Sequence, residues 1–221
     1  MRAAVALVAL TVVALTTAAC GSGDAVESAP TPAASVPPTS VPSISVSSVP
    51  EPTASNPDLD RRLIAATKAG DVAEALTLID AGADVNAKDA VQDSAFLYAG
   101  AEGLNEILLA TLEHGADVRA TNRFGGTALI PAAEHGHVDT VRILIRAGVP
   151  VNHVNDPGWT ALLEAVVYGD GSTRYVDTVT QLLDAGADPL IRDAHGRTAL
   201  QHAQNRGQHD IVGLLRAAEE N

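Results

Sequence analysis

Residues 125–155, GGTALIPAAEHGHVDTVRILIRAGVPVNHVN, contain a pattern that recurs along the chain. Similar segments occur as LIDAGADVNAKD (78–89), LEHGADVRATN (112–122) and LDAGADPLIRD (183–193). The glycines Gly82, Gly115, Gly148 and Gly186 of these segments lie 33, 33 and 38 residues apart. A fixed period of about 20–50 residues is the sequence signature of a repeat architecture. We therefore interpret residues 58–221 as a stack of similar units.

The pattern of each unit predicts two short helices. A hydroxyl residue stands before the first helix and is predicted to cap its N-terminus; these residues are Ser94, Thr127, Thr160 and Thr198. A glycine is predicted to end the first helix; these are Gly70, Gly103, Gly136, Gly169 and Gly207. The second helix has apolar residues at helical spacing, and the next glycine fits the left-handed position after its end. One such unit cannot bury its apolar stripe alone, so the units must stack.

The motifs that fill this period resemble those of ankyrin repeats. Thr127-Ala128-Leu129, Gly136-His137 and Gly82-Ala83-Asp84-Val85-Asn86 carry the resemblance, and 125–141 and 151–166 are similar to bacterial ankyrin proteins. The resemblance implies an all-α repeat solenoid of about five stacked repeats, each a helix-turn-helix followed by a β-turn or hairpin. The implied repeats are approximately 58–89, 90–122, 123–155, 156–193 and 194–221. Repeat two departs from the pattern, because Asn105 and Thr111 replace apolar residues, and we expect it to be the weakest.

The ankyrin family binds partners through its turn tips and the exposed side of its first helices. At the matching positions of repeat three, the implied binding residues are Asn122, Arg123, Phe124, Glu134 and His135. In repeats four and five they are Asn155, Asp156, Trp159, Tyr168, His195 and Arg206. Trp, Tyr and Arg dominate binding hot spots. Trp159 has two readings, because it could equally pack against the neighbouring hairpin and shield the core.

Repeat four has five extra residues between its helices, within 169–175. We include Asp170 and Arg174 from this segment among the candidate partner-binding residues. A glycine-rich loop with a hydroxyl and an arginine is compatible with binding an anion. An insertion at a helix–helix turn is also compatible with a longer turn that has no binding role.

The histidines do not form a metal-binding pattern, and no cofactor motif is present. His135 and His137 are two residues apart, a spacing that places them on different sides of a helix. Glu164 and His202 occupy the same helix position in adjacent repeats, so we predict a hydrogen bond or ion pair between them. The alternative, a catalytic acid/base pair, lacks an accompanying nucleophile or oxyanion hole. We therefore predict a protein that is not an enzyme and has no metal and no cofactor.

The net charge of the chain is −13, and it has two lysines. Neutralising nucleic-acid phosphates requires clustered Lys and Arg, so we exclude nucleic acid as a partner. The same charge favours a basic partner.

The first twenty residues predict export. Met1-Arg2 is followed by an uncharged run from Ala3 to Ala19, which is typical of a secretory signal peptide. Ala18-Ala19-Cys20-Gly21 resembles a bacterial lipoprotein signal, although Thr17 stands where that family usually has Leu. The resemblance implies a signal peptide at 1–19 and lipidation of Cys20, the only cysteine. The alternatives are an ordinary signal peptide and an uncleaved anchor.

Residues 20–57 are predicted to form a disordered tether rich in Pro, Ser and Thr, because such a segment buries too little apolar surface to fold. Together these patterns predict an extracytoplasmic, membrane-tethered module that binds an unknown protein of the cell envelope. Two alternatives are a binder of a small molecule or glycan in the concave groove near the repeat-four loop, and a structural spacer. The alternative location is a secreted or periplasmic soluble protein.

Overall fold

The computed structural model describes residues 56–220. Within them lie ten helices: α1 (Pro57–Ala69), α2 (Val72–Asp80), α3 (Ala95–Glu102), α4 (Asn105–Glu113), α5 (Leu129–Glu134), α6 (Val138–Arg146), α7 (Ala161–Tyr168), α8 (Thr173–Asp184), α9 (Ala199–Arg206) and α10 (His209–Glu219). The predicted signal peptide, Cys20 and the predicted tether up to 55 lie outside the described residues.

The helices form five antiparallel pairs that stack in two layers. The first helices α1, α3, α5, α7 and α9 pack on one another in that order, and the second helices form the other layer. Between successive pairs the chain turns back on itself, as where the N–H of Asn122 donates to the carbonyl of Gly126. No strand occurs in residues 56–220. The prediction of an all-α repeat solenoid is confirmed.

Small residues allow the first helices to approach closely. Alanines such as Ala99, Ala132, Ala165 and Ala203 are fully buried between neighbouring helices. At Gly100, a Cβ atom would lie 2.8 Å from the Cβ of Ala128 in the next repeat. Because no larger side chain fits there without moving a helix, the sequence of the first helices fixes the spacing between repeats.

Three of the four predicted N-terminal caps are present. The side chains of Ser94, Thr160 and Thr198 each accept a hydrogen bond from the third backbone N–H of their helix. The prediction for Thr127 was wrong: α5 begins at Leu129 and has no side-chain cap. Pro131 has no N–H to donate to the Thr127 carbonyl. The N–H of Ile130 donates there instead, at 3.2 Å, so it is not available to the Thr127 hydroxyl.

The first helices end at or next to the predicted glycines, and four of these, Gly70, Gly103, Gly136 and Gly207, have positive φ. Gly169 also ends its helix, α7, but its backbone is extended, with φ −65° and ψ 150°. The inserted residues change the path of the chain here, and Gly171, with φ 77°, takes the left-handed conformation. The insertion then continues directly into α8.

In repeats three, four and five, one position contacts the end of the first helix of the repeat before it. The Tyr175 hydroxyl donates to the Glu134 carbonyl at 2.9 Å, and its ring packs over Gly136. At the equivalent position of repeat five, the Gln208 amide donates to the carbonyls of Val166 and Gly169. His137 fills this position in repeat three, where its ring packs over Gly103. Each of these side chains ties two neighbouring repeats together.

The polar residues of repeat two have partners. Thr111 is fully buried, and its hydroxyl donates to the Leu108 carbonyl at 2.7 Å. The Asn105 carbonyl oxygen accepts a hydrogen bond of 2.7 Å from the Thr140 hydroxyl in repeat three. These bonds offset the burial of polar atoms.

Candidate binding cleft on the first-helix face

The first helices and the turn tips form one side of the molecule, which we call the first-helix face. An Asp or Asn begins each tip, and its side-chain oxygen accepts hydrogen bonds from backbone N–H groups of the same tip. These residues are Asp89, Asn122, Asn155 and Asp193. Such bonds replace solvent as the partner of the turn backbone and make the tips rigid. The tips therefore present their exposed side chains in a defined arrangement.

In repeats four and five, the second polar atom of the tip residue faces the first helix of the same repeat. The Asn155 Nδ2 donates to the Glu164 Oε1 at 3.1 Å, and the His202 Nε2 lies 2.8 Å from the Asp193 Oδ2. Although burial opposes its charge, hydrogen bonds from the Arg197 N–H and from His202 lower the pKa of Asp193 to about 2. The tip residue and the helix residue are complementary in both repeats, since an amide faces a carboxyl and a carboxylate faces an imidazole.

The predicted hydrogen bond or ion pair between Glu164 and His202 is therefore wrong. Each side chain has its polar partner in the tip of its own repeat. Equivalent positions of adjacent repeats are neighbours along the stack, but the tips project over these helices and reach them first.

Repeat three lacks this pairing, because Pro131 occupies the position that corresponds to Glu164 and His202. The short ring of Pro131 leaves a cleft of ≈ 250 Å³ between repeats three and four, which we call the tip cleft. Its apolar wall is formed by Phe124, Ile130, Pro131 and Pro157. Its polar wall is formed by Asn122, Glu134, Asn155 and Glu164. Four residues inferred from the ankyrin resemblance thus meet in one cavity: Asn122, Phe124, Glu134 and Asn155.

Two carboxyl groups from adjacent repeats meet in the tip cleft. Glu164 is 8% exposed, and its carboxyl also contacts that of Glu134. Burial, followed by the nearby charge of Glu134, raises the pKa of Glu164 to about 7, against the opposing effects of Asn155 and His135. Within residues 56–220, neither carboxylate forms an ion pair with a Lys or Arg. The polar wall therefore has negative charge that the described part of the protein does not neutralise.

Aromatic side chains border the cleft region. Phe124 is 50% exposed and Tyr168 is 57% exposed. Trp159 is half-buried against the core, with its ring centroid 6.5 Å from that of Tyr168 and 5.9 Å from that of His202. Trp159 therefore packs against the core, as the structural one of its two interpretations predicted. Burial, followed by the charges of Glu164 and Glu134, raises the pKa of Tyr168.

Arg123 is exposed at the tip of repeat three. Its guanidinium lies 4.6 Å from the centre of the Phe124 ring, and it forms an ion pair of 3.7 Å with Asp93 of the preceding tip. Asp93 also accepts from Lys68, which bonds to Asp89 as well. Arg123 thus pairs with repeat two, and within residues 56–220 it forms no ion pair with Glu134 or Glu164.

The remaining candidates are spread along the first-helix face. His135 is exposed, and its Nδ1 lies 3.0 Å from the Ala101 carbonyl. Asp156 and His195 are exposed at the tips of repeats four and five. Arg206 donates to the Gly169 carbonyl at 3.0 Å, which fastens repeat five to the insertion.

The repeat-four insertion does not present a free anion cradle. Asp170 accepts from the N–H of Ser172 at 2.9 Å, so its own carboxylate occupies the start of α8. Hydrogen bonds from Ser172, opposed by slight desolvation and aided by Arg174, lower the pKa of Asp170. The Arg174 guanidinium lies 4.8 Å from the centre of the Tyr175 ring. These contacts favour the reading of the insertion as a longer, internally bonded turn.

Sequence reasoning missed Ile130, Pro131 and Glu164 as parts of a binding cavity. The sequence feature that could have indicated the cleft is Pro131, because it stands at a position where the next two repeats have a long polar side chain.

In residues 56–220 no group of three or more Asp, Glu, His or Cys is arranged to hold a metal ion. No helix in this range has the length and apolar character needed to cross a membrane.

Comparisons with known proteins agree with the stacked helix pairs. A family model for ankyrin repeats matches three copies across 95–193. An ankyrin repeat domain from Acinetobacter baumannii AYE is 59% identical, with a TM-score of 0.70, covering 71% of this chain and 80% of that one. The ankyrin repeat protein EF0377 is 44% identical, with a TM-score of 0.67, covering 70% of this chain and 78% of that one. The chain has no match among the curated proteins. On its helix pairs and these similarities, the protein belongs to the ankyrin-repeat family.

Proposed function

We propose that this protein is a membrane-tethered module that binds another protein of the cell envelope through its first-helix face. Ankyrin repeats are generally protein-interaction modules. The observation that supports this surface is the tip cleft with half-exposed Phe124 and Tyr168 near it. A rigid pocket beside exposed aromatic side chains is the arrangement in which interface hot spots occur.

The binding proposal is tested by capture of partners. The full chain is immobilised in detergent and exposed to solubilised envelope from the native host, beside a variant with Phe124→Ala and Tyr168→Ala. A control variant carries Leu109→Ala, an exposed apolar residue on the second helix α4, away from the first-helix face. We expect at least one protein to be retained by the native chain and the control and lost from the first variant. Equal retention by all three would exclude this surface, and no retained protein would contradict the function.

We further propose that the chain is exported and anchored by acylation of Cys20. The apolar run from Ala3 to Ala19 and the small residues before the only cysteine support this proposal. Because one acyl chain gives only marginal membrane binding, we expect more than one on the mature N-terminus.

The anchoring proposal is tested by labelling cells with an alkyne fatty acid and comparing the native chain with Cys20→Ser. The native chain should carry the label and sediment with membranes, whereas the variant should carry none. An unlabelled native chain, or equal labelling of the variant, would contradict acylation at Cys20. That result would leave protein binding by residues 56–220 untouched.

A further inference from the structure

We propose that the tip cleft receives one lysine or arginine side chain of the protein partner, with Glu134 and Glu164 balancing its charge. This inference rests on the proposed protein-binding function and adds the chemistry of the partner. It commits to a basic side chain as the occupant, and it is argued from the size, the charge and the walls of the cleft.

The cleft has the size of a side-chain pocket. Its volume of ≈ 250 Å³ lies below the range of about 300–1,000 Å³ that is usual for pockets that hold drug-sized ligands. The tips of repeats three and four both line it, through Phe124 and Pro157, and the Asp156 N–H joins them by donating to the Phe124 carbonyl at 2.9 Å. The space beside the joined tips therefore has the size of a single long side chain.

The charge of the polar wall selects a cation. The carboxyls of Glu134 and Glu164 contact each other, and neither has a cationic side chain in an ion pair within 56–220. Glu164 is nine-tenths buried, and its carboxyl accepts a hydrogen bond from the Asn155 amide and contacts the carboxyl of Glu134. A buried carboxylate is stable when a cation or donors satisfy its oxygens. The nearby imidazole of His135 already bonds to the Ala101 carbonyl.

The apolar wall fits the hydrocarbon stem of the same side chain. Lysine and arginine bury their methylene groups on apolar surface while their charged ends reach polar groups. Phe124 and Pro157 provide that surface in the lining of the cleft, and Glu134 and Glu164 line the same cleft. Neutral polar side chains would leave the carboxyl pair without a cation, and an acidic side chain would be repelled. The net charge of −13 also favours the approach of a basic partner.

The test uses random peptides displayed on phage and selected on the full chain in detergent. We expect the selected peptides to share one Lys or Arg position. Changing that residue to Gln in a synthetic peptide should weaken binding by about tenfold or more, since breaking a close charge pair is costly. Protein variants Glu134→Gln and Glu164→Gln should each lose about as much affinity for the basic peptide and little for its Gln version.

Glu113→Gln is the matched control, because Glu113 is exposed on α4 and the substitution changes the net charge by the same amount. In Glu164→Gln the amide oxygen can still accept from Asn155, and circular dichroism would verify that each variant is folded. Peptides without a shared basic residue, or affinities unchanged in both cleft variants, would overturn the inference while leaving protein binding intact. If neither peptides nor envelope proteins bind the native chain, the proposed function itself fails.

Discussion

At the residue scale, the tips of the repeats combine a structural role with a chemical one. One side-chain oxygen of Asn155 or Asp193 accepts hydrogen bonds from the backbone N–H groups of the turn. The other polar atom of the same side chain pairs with a residue of the first helix, and its chemistry determines which residue can stand there. An amide can donate to a carboxyl, whereas a carboxylate requires a donor such as His202. Repeat three departs from this rule through Pro131, and the result is a cavity with an unbalanced carboxyl pair at its edge.

The stability of the protein should depend on pH through Glu164. Its pKa rises from 4.5 to about 7 on folding, so the folded state binds the proton more tightly than the unfolded state. The resulting stability is fully present below pH 4.5 and is lost as the pH rises through 7. We expect Glu164→Gln to be more stable than the native chain by about 2 kcal/mol at pH 8 and about equal to it at pH 4.5.

Urea unfolding at both pH values would measure this difference. The charged and titratable groups around Glu164 are Glu134 at the end of α5, His135 directly after it and Tyr168 on α7, and all three are kept in the variant. Glu113→Gln should show no such change with pH. A stability difference for Glu164→Gln that is the same at pH 4.5 and pH 8 would refute the assignment.

Thr127 and Thr160 should respond differently to the same substitution. Thr160 caps α7 through a hydrogen bond of 3.1 Å to the Leu163 N–H, whereas the Thr127 hydroxyl makes no cap because Pro131 changes the first turn of α5. We expect Thr160→Val to cost about 1 kcal/mol and Thr127→Val to cost less than about 0.5 kcal/mol. Denaturant unfolding of the two variants is the measurement. A loss of the same size at both positions would show that Thr127 is a cap after all.

At the scale of the elements, a side chain at the N-terminal end of the second helix joins repeat four to repeat three and repeat five to repeat four. Tyr175 and Gln208 reach backbone carbonyls at the end of the preceding first helix. Those carbonyls lie where a helix leaves its last acceptors without partners. The side chain of the following repeat supplies the missing donor, so each helix end is completed only when its neighbour is folded.

The Tyr175 hydroxyl should therefore contribute to stability while that of Tyr168 should not. Tyr175→Phe removes a buried donor from the Glu134 carbonyl, and we expect a loss of about 1 kcal/mol. Tyr168→Phe removes an exposed hydroxyl, and we expect a change within about 0.5 kcal/mol. Thermal or urea unfolding separates the two cases. Equal effects would mean that the bond between repeats adds nothing net.

At the scale of the whole molecule, the negative charge opposes folding and favours association with a basic protein. Like charges repel one another in the compact state, and salt screens this repulsion. We expect the melting temperature of the full chain to rise by a few degrees, about 2–4 °C, between 20 mM and 500 mM NaCl. Over the same range, affinity for a basic peptide should fall. Calorimetry and binding isotherms would check both directions, and a fall in melting temperature would contradict the first.

The sequence by itself determined the repeat period, the helix pairs, the all-α class and most of the caps. These features depend on local rules, since a hydroxyl residue, a glycine and helical spacing of apolar residues act within a few positions of one another. Thr127 and Gly169 departed from those rules because Pro131 and the inserted residues changed the backbone that the rules assume. The predictions for Cys20 and the tether concern residues outside the described range and remain predictions.

The tertiary structure alone decided which polar groups meet. Sequence register placed Glu164 beside His202, but the tips project over the helices, and Glu164 contacts Asn155 and the carboxyl of Glu134 instead. The tip cleft likewise depends on the absence of a long side chain at Pro131 between two repeats. Such a cavity has no local pattern in the sequence, because it is formed by the packing of neighbouring repeats and by the direction in which their side chains point.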